Sequence, residues 1–468
     1  MPQNSLAFSP IRGNDWEHLL MSTAQAPTAA PAHDPYQAWK TPGYPRYILG
    51  NFIASISRQM VTMCVGWEIY QRTRSTALLG LVGLATALPL FVFTLPAGYV
   101  ADHFSRRKVI IWMHVVFAFT SLGLALLSLW HTQLPDWPLI EGPRKALEWI
   151  AAAVEQDPSQ VVIDRGIVGM MALVFIAGIA NTFIWASRAS FLPLLVPREA
   201  LPNAISWNSS FLKTATAVGP AVAGALILIG YPVIYFIHVV SVLLFVGILL
   251  TLKVNQPLPA TRTRGSKREE FFLGVRFVFQ NRLMLAAMSL DLFAVLLGSV
   301  MALIPMFADR LGVGSVGAGW MIAVESIGAI LTGVLISHLP PMQNVGRTLL
   351  LAVAAFGAAI IGFGLSPWYW MALIMLFLTG VFDAFSAIIR HTLVQMTTPE
   401  ELRGRVTAVN NIFIGSSNEL GAFRSGMTAA AFGPVTAVVG GGIGTILVVA
   451  LIAWWAPELR RFKSFQKP

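Results

Sequence analysis

Apolar residues in this chain run on for about twenty positions or more before a polar break, the length at which a helix crosses a bilayer. Six such stretches, at about 46–70, 76–101, 108–130, 166–192, 202–229 and 231–252, precede a change of pattern. From Lys253 to Arg282 the chain turns polar and basic (Arg262, Arg264, Lys267, Arg268, Arg276), with a surface helix predicted over Glu269–Gln280. Six more stretches follow, at about 283–308, 314–339, 347–365, 368–396, 402–432 and 435–456. Gly230-Tyr231-Pro232, Ser366-Pro367 and Gly433-Pro434 supply tight turns between neighbouring helices. The predicted architecture is an all-α polytopic membrane protein. Twelve transmembrane helices form two six-helix halves, 44–252 and 283–456, joined by a linker at 253–282 and flanked by tails at 1–43 and 457–468. The first tail, polar and rich in Ala, Pro, Ser and Gln, lacks the basic start and short apolar core of a signal peptide and reads as disordered.

Composition agrees with that pattern. The 468 residues are 56% hydrophobic and 12% charged, with a mean hydropathy of +0.67, and so much apolar surface calls for lipid as its solvent. The net charge of +10 does not point to nucleic acid, because the cations sit at membrane edges. With both termini inside, 21 of the 32 Lys and Arg fall in cytoplasmic segments, 6 in external loops (Arg72, Arg74, Arg144, Lys145, Arg165, Arg310) and 5 within spans. That asymmetry predicts a multi-pass protein of the bacterial inner membrane with both termini cytoplasmic. Cys64 is the single cysteine, which excludes an intramolecular disulfide, and no Cys/His cluster has metal-ligand spacing, so neither metal nor cofactor is expected. The one long external loop, 131–165, carries six acids and an amphipathic stretch at Arg144–Val154; a solvated insertion and a cap over an exit both fit it.

The two halves repeat. Shifting the chain by 202 positions gives ten ungapped identities within 51 positions, among them Gly178 with Gly380, Arg188 with Arg390, Asn208 with Asn410, Gly219 with Gly421 and Gly224 with Gly426. Chance at this composition gives roughly three to five. Parallel repeats of this kind place a substrate site between the halves near the membrane midplane.

Between spans 2 and 3 the chain reads Gly98-Tyr99-Val100-Ala101-Asp102-His103-Phe104-Ser105-Arg106-Arg107-Lys108. It resembles the G-x-L-A-D-R-x-G-R-R-[KR] motif of the major facilitator superfamily, with His103 and Ser105 departing from it. The resemblance implies the major facilitator fold and a cytoplasmic gate in which Gly98 admits a close helix and Asp102 faces the start of span 11 near Leu402. Arg106, Arg107 and Lys108 are then expected to pair with acids. Gly219-Pro220-Ala221-Val222-Ala223-Gly224 in span 5 is similar to an element of drug and proton antiporters, although close helix packing alone accounts for a Gly/Pro pattern too. Segments 191–204 and 396–406, with Trp67-Glu68-Ile69-Tyr70-Gln71-Arg72-Thr73, resemble the branch holding enterobactin exporters and macrolide efflux proteins.

Ionisable groups inside a membrane are costly, so each is a functional candidate. Arg188 and Arg390 occupy equivalent repeat positions; they fit either gating pairs with Asp102 and with Glu401 or Glu199, or structural ion pairs. Asp291 and Glu325 are the leading candidates for carrying a proton, with Glu68, Asp383 and Glu419 behind them. Arg58, Trp185, Asn208, Phe211, Lys213, Phe385, Asn410, Asn411 and Arg424 are candidate cavity residues. No P-loop and no Ser/His/Asp arrangement is present, so neither ATP drive nor enzymatic catalysis is expected. The implied function is secondary active, proton-coupled export of a small organic molecule, a siderophore or a hydrophobic drug, by a monomer whose other partners are the proton and lipid. Uptake of a metabolite and a non-transporting membrane sensor are the alternatives.

Overall fold

The structure, a computed structural model, describes residues 34–130, 138–252, 254, 267–338, 340 and 343–463. These residues form an all-α protein with no strand among them. Ten helices are long and apolar enough to cross a membrane: Tyr44–Thr73, Thr76–His103, Arg106–Trp130, Arg165–Leu194, Tyr231–Thr251, Arg282–Arg310, Gly314–His338, Val345–Gly364, Tyr369–Thr397 and Pro434–Trp455. They are spans 1 to 4, 6 to 10 and 12. Spans 5 (Leu201–Leu226) and 11 (Arg403–Phe432) have the length, 26 and 30 residues. They are less apolar because they carry Asn208, Lys213, Asn410, Asn411, Glu419 and Arg424. These two polar spans are also ones through which the halves meet.

Each half is built the same way. Spans 1, 2 and 3 pack on 5 and 6, on 4, and on 4 and 6; spans 7, 8 and 9 pack on 11 and 12, on 10, and on 10 and 12. The halves join where span 2 lies against span 11 and span 5 against span 8. Side-chain caps start several helices: Ser75 accepts from the Leu78 N–H at 3.1 Å, Asp164 from Ile167 at 3.1 Å and Asn281 from Met284 at 3.1 Å. At the span 11 to 12 turn Gly433 adopts φ +81°, a left-handed conformation that glycine tolerates, and Pro434 then starts span 12 without needing its missing N–H.

The repeat identities are explained by glycine contacts. A Cβ on Gly178 would strike Pro89 and the Ala85 carbonyl of span 2, and one on Gly380 would strike the Glu325 carbonyl of span 8. Gly219 lies on the Ile56 carbonyl of span 1, and Gly421 on the Val295 carbonyl of span 7. Gly224 meets Ser315 and Gly319 of span 8, whereas Gly426 meets Gly80 and Thr76 of span 2. Backbone-to-backbone approach of this kind needs residues without side chains.

The buried core shows which end is shut. At the end bearing the 131–165 insertion, one continuous cluster runs from Trp67, Leu78, Ile167 and Tyr235 of the first half to Leu303, Phe307, Met321, Phe363 and Ala437 of the second. Toward the end bearing both termini the core divides. Tyr44, Tyr47, Phe191 and Phe245 cluster within the first half, and Leu290, Leu349, Leu393 and Ile452 within the second. The molecule is sealed at the insertion end and parted at the other.

Four boundaries differ from expectation. Span 7 is not continuous: the helix stops at Gly298, a 3-10 turn covers Met301–Leu303, and helix resumes at Ile304. Within the 1–43 tail, residues 1–33 lie outside the described residues, but 34–40 are ordered rather than disordered. Ala38 donates its N–H to Asn203 at 3.0 Å, Asn203 and Trp207 both donate to the Pro35 carbonyl, and Trp39 packs edge-on to Trp207. Aromatic anchors that the tail's polar average conceals hold it to span 5. The insertion's helix begins earlier than Arg144 and covers Pro138–Val154, and the linker helix covers Lys267–Gln280. Residues 131–137, 255–266 and 464–468 lie outside the described residues. The start of the last tail, a short helix Pro457–Arg461, seats its Leu459 carbonyl against Gly346 of span 9.

Candidate functional site

The sealed end is held by bonds between halves. Arg74 pairs with Asp309 at 2.6 Å, and Gln71 donates to the same carboxylate. One level deeper, Thr86 of span 2 donates its hydroxyl proton to Glu419 of span 11 at 2.5 Å. The insertion crosses from one half to the other. Glu155 accepts from the Ser75 hydroxyl at 2.7 Å and the Ala77 N–H at 2.9 Å, capping the positive start of span 2. Its neighbour Gln156 donates its backbone N–H to the Ala430 carbonyl of span 11 at 3.1 Å. Beside this seal, within the first half, Glu68 is buried and accepts from Tyr235 at 2.8 Å and Arg72 at 3.2 Å; Arg72 also grips Asp164 at 2.6 Å. Loss of the insertion's grip through Glu155→Ala removes two hydrogen bonds worth about 0.5–1.5 kcal/mol each. Cross-linking of an Arg74→Cys, Asp309→Cys pair is therefore expected to slow severalfold in that background, and an unchanged rate would show that the insertion does not hold the seal.

The open end carries the Gly98 to Lys108 motif. Nothing lies within 4 Å of a Cβ placed on Gly98, so the expected close helix contact is not made in this parted state. Asp102, Lys108 and Glu199 are exposed there. Among the described residues the motif's arginines take helix ends rather than acids: Arg106 donates to the Ser190 carbonyl at 3.3 Å and Arg107 to the Leu250 carbonyl at 2.6 Å. Cations at the negative ends of spans 4 and 6 satisfy carbonyls that have no helical partner. The side chain of Glu401 lies outside the described residues.

Between the two ends stand the charges. Arg390 is not engaged with Asp102 or Glu199; it pairs within its own half, to Asp291 at 2.6 Å and the Ser386 hydroxyl at 2.7 Å, both arginine and aspartate being more than nine-tenths buried. Glu325, half-buried on span 8, lies within electrostatic reach of Asp383 on span 10 and of Lys213, which comes from span 5 of the other half. Glu419 and Arg424 part company. Arg424 donates to the carbonyls of Leu296 and Leu297, where span 7 breaks, so it caps the end of a half-helix rather than lining a cavity. Arg58 lies within electrostatic reach of Arg188 and Glu419.

The remaining candidates divide. Asn208 accepts from Asn51 at 3.3 Å, linking spans 5 and 1. Phe211 packs on Phe52 with ring centroids 4.7 Å apart and on Trp39 at 6.2 Å, and Phe385 packs against the second half's core; both are packing residues here. Trp185 is exposed, Asn410 buried and Asn411 half-buried. Pro220 presents its carbonyl to Gly319, beside Gly224. Thr86, Asn51 and Gln156 carry no signal in the sequence, being uncharged polar residues, and Glu155 stands there only as one of the six acids of the 131–165 loop.

Known proteins give this arrangement its context. The enterobactin exporter EntS of Shigella boydii serotype 4 (strain Sb227) is 25% identical over 423 residues, covering 90% of this chain and 94% of the relative. That of Escherichia coli O1:K1 is 24% identical over the same length. Among solved structures, a bacterial homologue of the iron transporter ferroportin in an inward-facing state superposes with a TM-score of 0.64 at 15% identity, covering 88% of this chain and 98% of that one. The inward-open xylose transporter XylE from E. coli gives 0.62 at 12% identity, covering 88% and 94%. At these identities the superpositions speak for the fold. The family model of the Major Facilitator Superfamily matches residues 47–416 and again 293–468, and with twelve helices in two pseudo-symmetric halves meeting at spans 2 with 11 and 5 with 8, the chain belongs to that superfamily of membrane transporters.

Proposed function

We propose that this protein exports a small organic molecule, a siderophore or a hydrophobic drug, by rocking its two halves about a central site, with protons entering as substrate leaves. One observation carries the alternating-access part: the core is continuous between halves at one end and divided at the other. The direction is supported by the relatives' printed role as exporters. With the Lys and Arg bias, the parted end faces the cytoplasm, the sealed end and its insertion face outward, and the protein sits in the bacterial inner membrane as a monomer. In this reading Glu325, with Asp383 and Lys213 around it, is the better candidate for carrying the proton. Its neighbours come from both halves, so its surroundings change as they rock.

The test is deletion of the gene under iron starvation, with mass spectrometry of the medium and cells. Loss of a secreted siderophore, or cellular accumulation of a hydrophobic antibiotic, is expected. Glu325→Gln should reproduce the loss while leaving the protein's amount in the membrane unchanged. If siderophores and antibiotic accumulation are both unaffected by the deletion, the export reading falls.

A further inference from the structure

The two halves treat their equivalent arginines differently. Arg390 is neutralised by Asp291. The glycine contacts fix which residue of span 1 stands in for that aspartate: Gly219 rests on Ile56 as Gly421 rests on Val295, and Gly80 meets Gly426 as Gly319 meets Gly224. Both pairs set spans 1 and 2 against 7 and 8 at the same offset, and at that offset the counterpart of Asp291 is Phe52. The first half thus keeps the cation and replaces its counterion with a phenyl ring.

No substitute acid is found among the described residues. Among the described residues Arg188 makes no ion pair, its Nε is buried without a hydrogen-bond partner, and the charged or titratable groups that reach it are Tyr47, His114 and a second cation, Arg58. His114 and His238 are both buried, and His238 leaves Nε2 unpartnered. The Ser187 hydroxyl and the Asn51 carbonyl oxygen are buried and unpartnered as well. The carboxylate within electrostatic reach of Arg58, Glu419, belongs to the other half and accepts from Thr86. The Arg188 guanidinium, held in a low-dielectric interior beside a second cation and with no carboxylate among the groups that reach it, is costly, and an anion that enters from the parted end relieves that cost. Arg188 fits the task because its planar fork bonds a carboxylate through two donors.

We infer that Arg188, supported by Arg58, forms an anion site on the first half that takes the carboxylate or phenolate head group of the exported compound. This rests on the export reading and narrows it to organic acids, against neutral or cationic drugs.

The test compares the medium of a deletion strain complemented with the wild type, Arg188→Gln, Arg188→Lys, Arg58→Gln and, as a control in the outer insertion, Arg144→Gln, each checked for equal amount in the membrane. Untargeted mass spectrometry identifies the compounds that the wild type restores. They are expected to be acids, to fall by about tenfold or more with Arg188→Gln and Arg58→Gln, and to return in part with Arg188→Lys. Restored compounds that are neutral or cationic overturn the anion site while leaving export standing, as does full restoration of acids by Arg188→Gln. A deletion that changes nothing in the medium overturns the export reading itself.

Discussion

Asp291→Ala is expected to be the most damaging single truncation in the second half, costing about 3–5 kcal/mol because it leaves the Arg390 guanidinium buried without its carboxylate. The pair is 2.6 Å apart and the arginine's remaining bond goes to Ser386. Side chains packed around it are apolar, with Leu290, Ala294, Ile389 and Leu393 in the same core cluster, and the other carboxylate within electrostatic reach of Asp291, Asp383, makes no ion pair with Arg390. Replacing both partners, Asp291→Leu with Arg390→Leu, removes the uncompensated ion and should recover most of the loss, since a buried ion pair and a well-packed apolar pair of similar volume are close in energy. Cys64 provides the measurement. It is the chain's single cysteine and fully buried, so a thiol-reactive dye reports unfolding of purified protein directly. A single Asp291→Ala variant that melts with the wild type would show that the pair contributes nothing to stability. The same series bears on the proton, because Asp291→Asn should lose stability along with transport, whereas Glu325→Gln should lose transport alone.

A leucine at Gly224 or Gly426 should abolish transport, with a fall of at least about tenfold, by wedging the halves apart at the sealed end. These two positions are equivalent in the repeat, and each lies against a glycine of the facing half, Gly319 and Gly80. A Cβ on either would meet backbone, which cannot swing aside as a flexible side chain can. The closed contact between spans 2 and 11, or 5 and 8, is then unreachable, and the protein is held parted at both ends or driven to open where it is now shut. Loss of the Arg74→Cys, Asp309→Cys cross-link is the readout. Gly440→Ala, in span 12 with no atom within 4 Å of the new Cβ, is expected to transport and cross-link as the wild type does. Retained cross-linking in Gly426→Leu would mean that the seal does not depend on this approach.

How much of the site could be read beforehand differs from residue to residue. Arg390 and Asp291 were both visible as charges in apolar stretches, but that they belong to each other was not, because they are 99 positions apart on spans 7 and 10. Glu419 and Arg424 show the reverse: five residues apart in one helix, they point to different neighbours, Thr86 across the interface and the broken end of span 7. The motif arginines were legible as a basic cluster, whereas their targets, the carbonyl ends of spans 4 and 6, are backbone atoms that no sequence pattern marks.

The sequence by itself determined the membrane class, the number of crossings, the division into two halves and the equivalence of Gly178, Gly219 and Gly224 with Gly380, Gly421 and Gly426. Those follow from local chemistry, since apolar run length, cation placement and internal identity are each read along one strand of text. Only the tertiary structure decided which end is shut, that the insertion bridges the halves there, that span 7 is broken, and that Arg390 has a counterion while Arg188 has none among the described residues. Each of these is a relation between helices distant in the chain, and within lipid such relations are set by close packing and by the need to satisfy every buried polar group, for which single residues carry no mark.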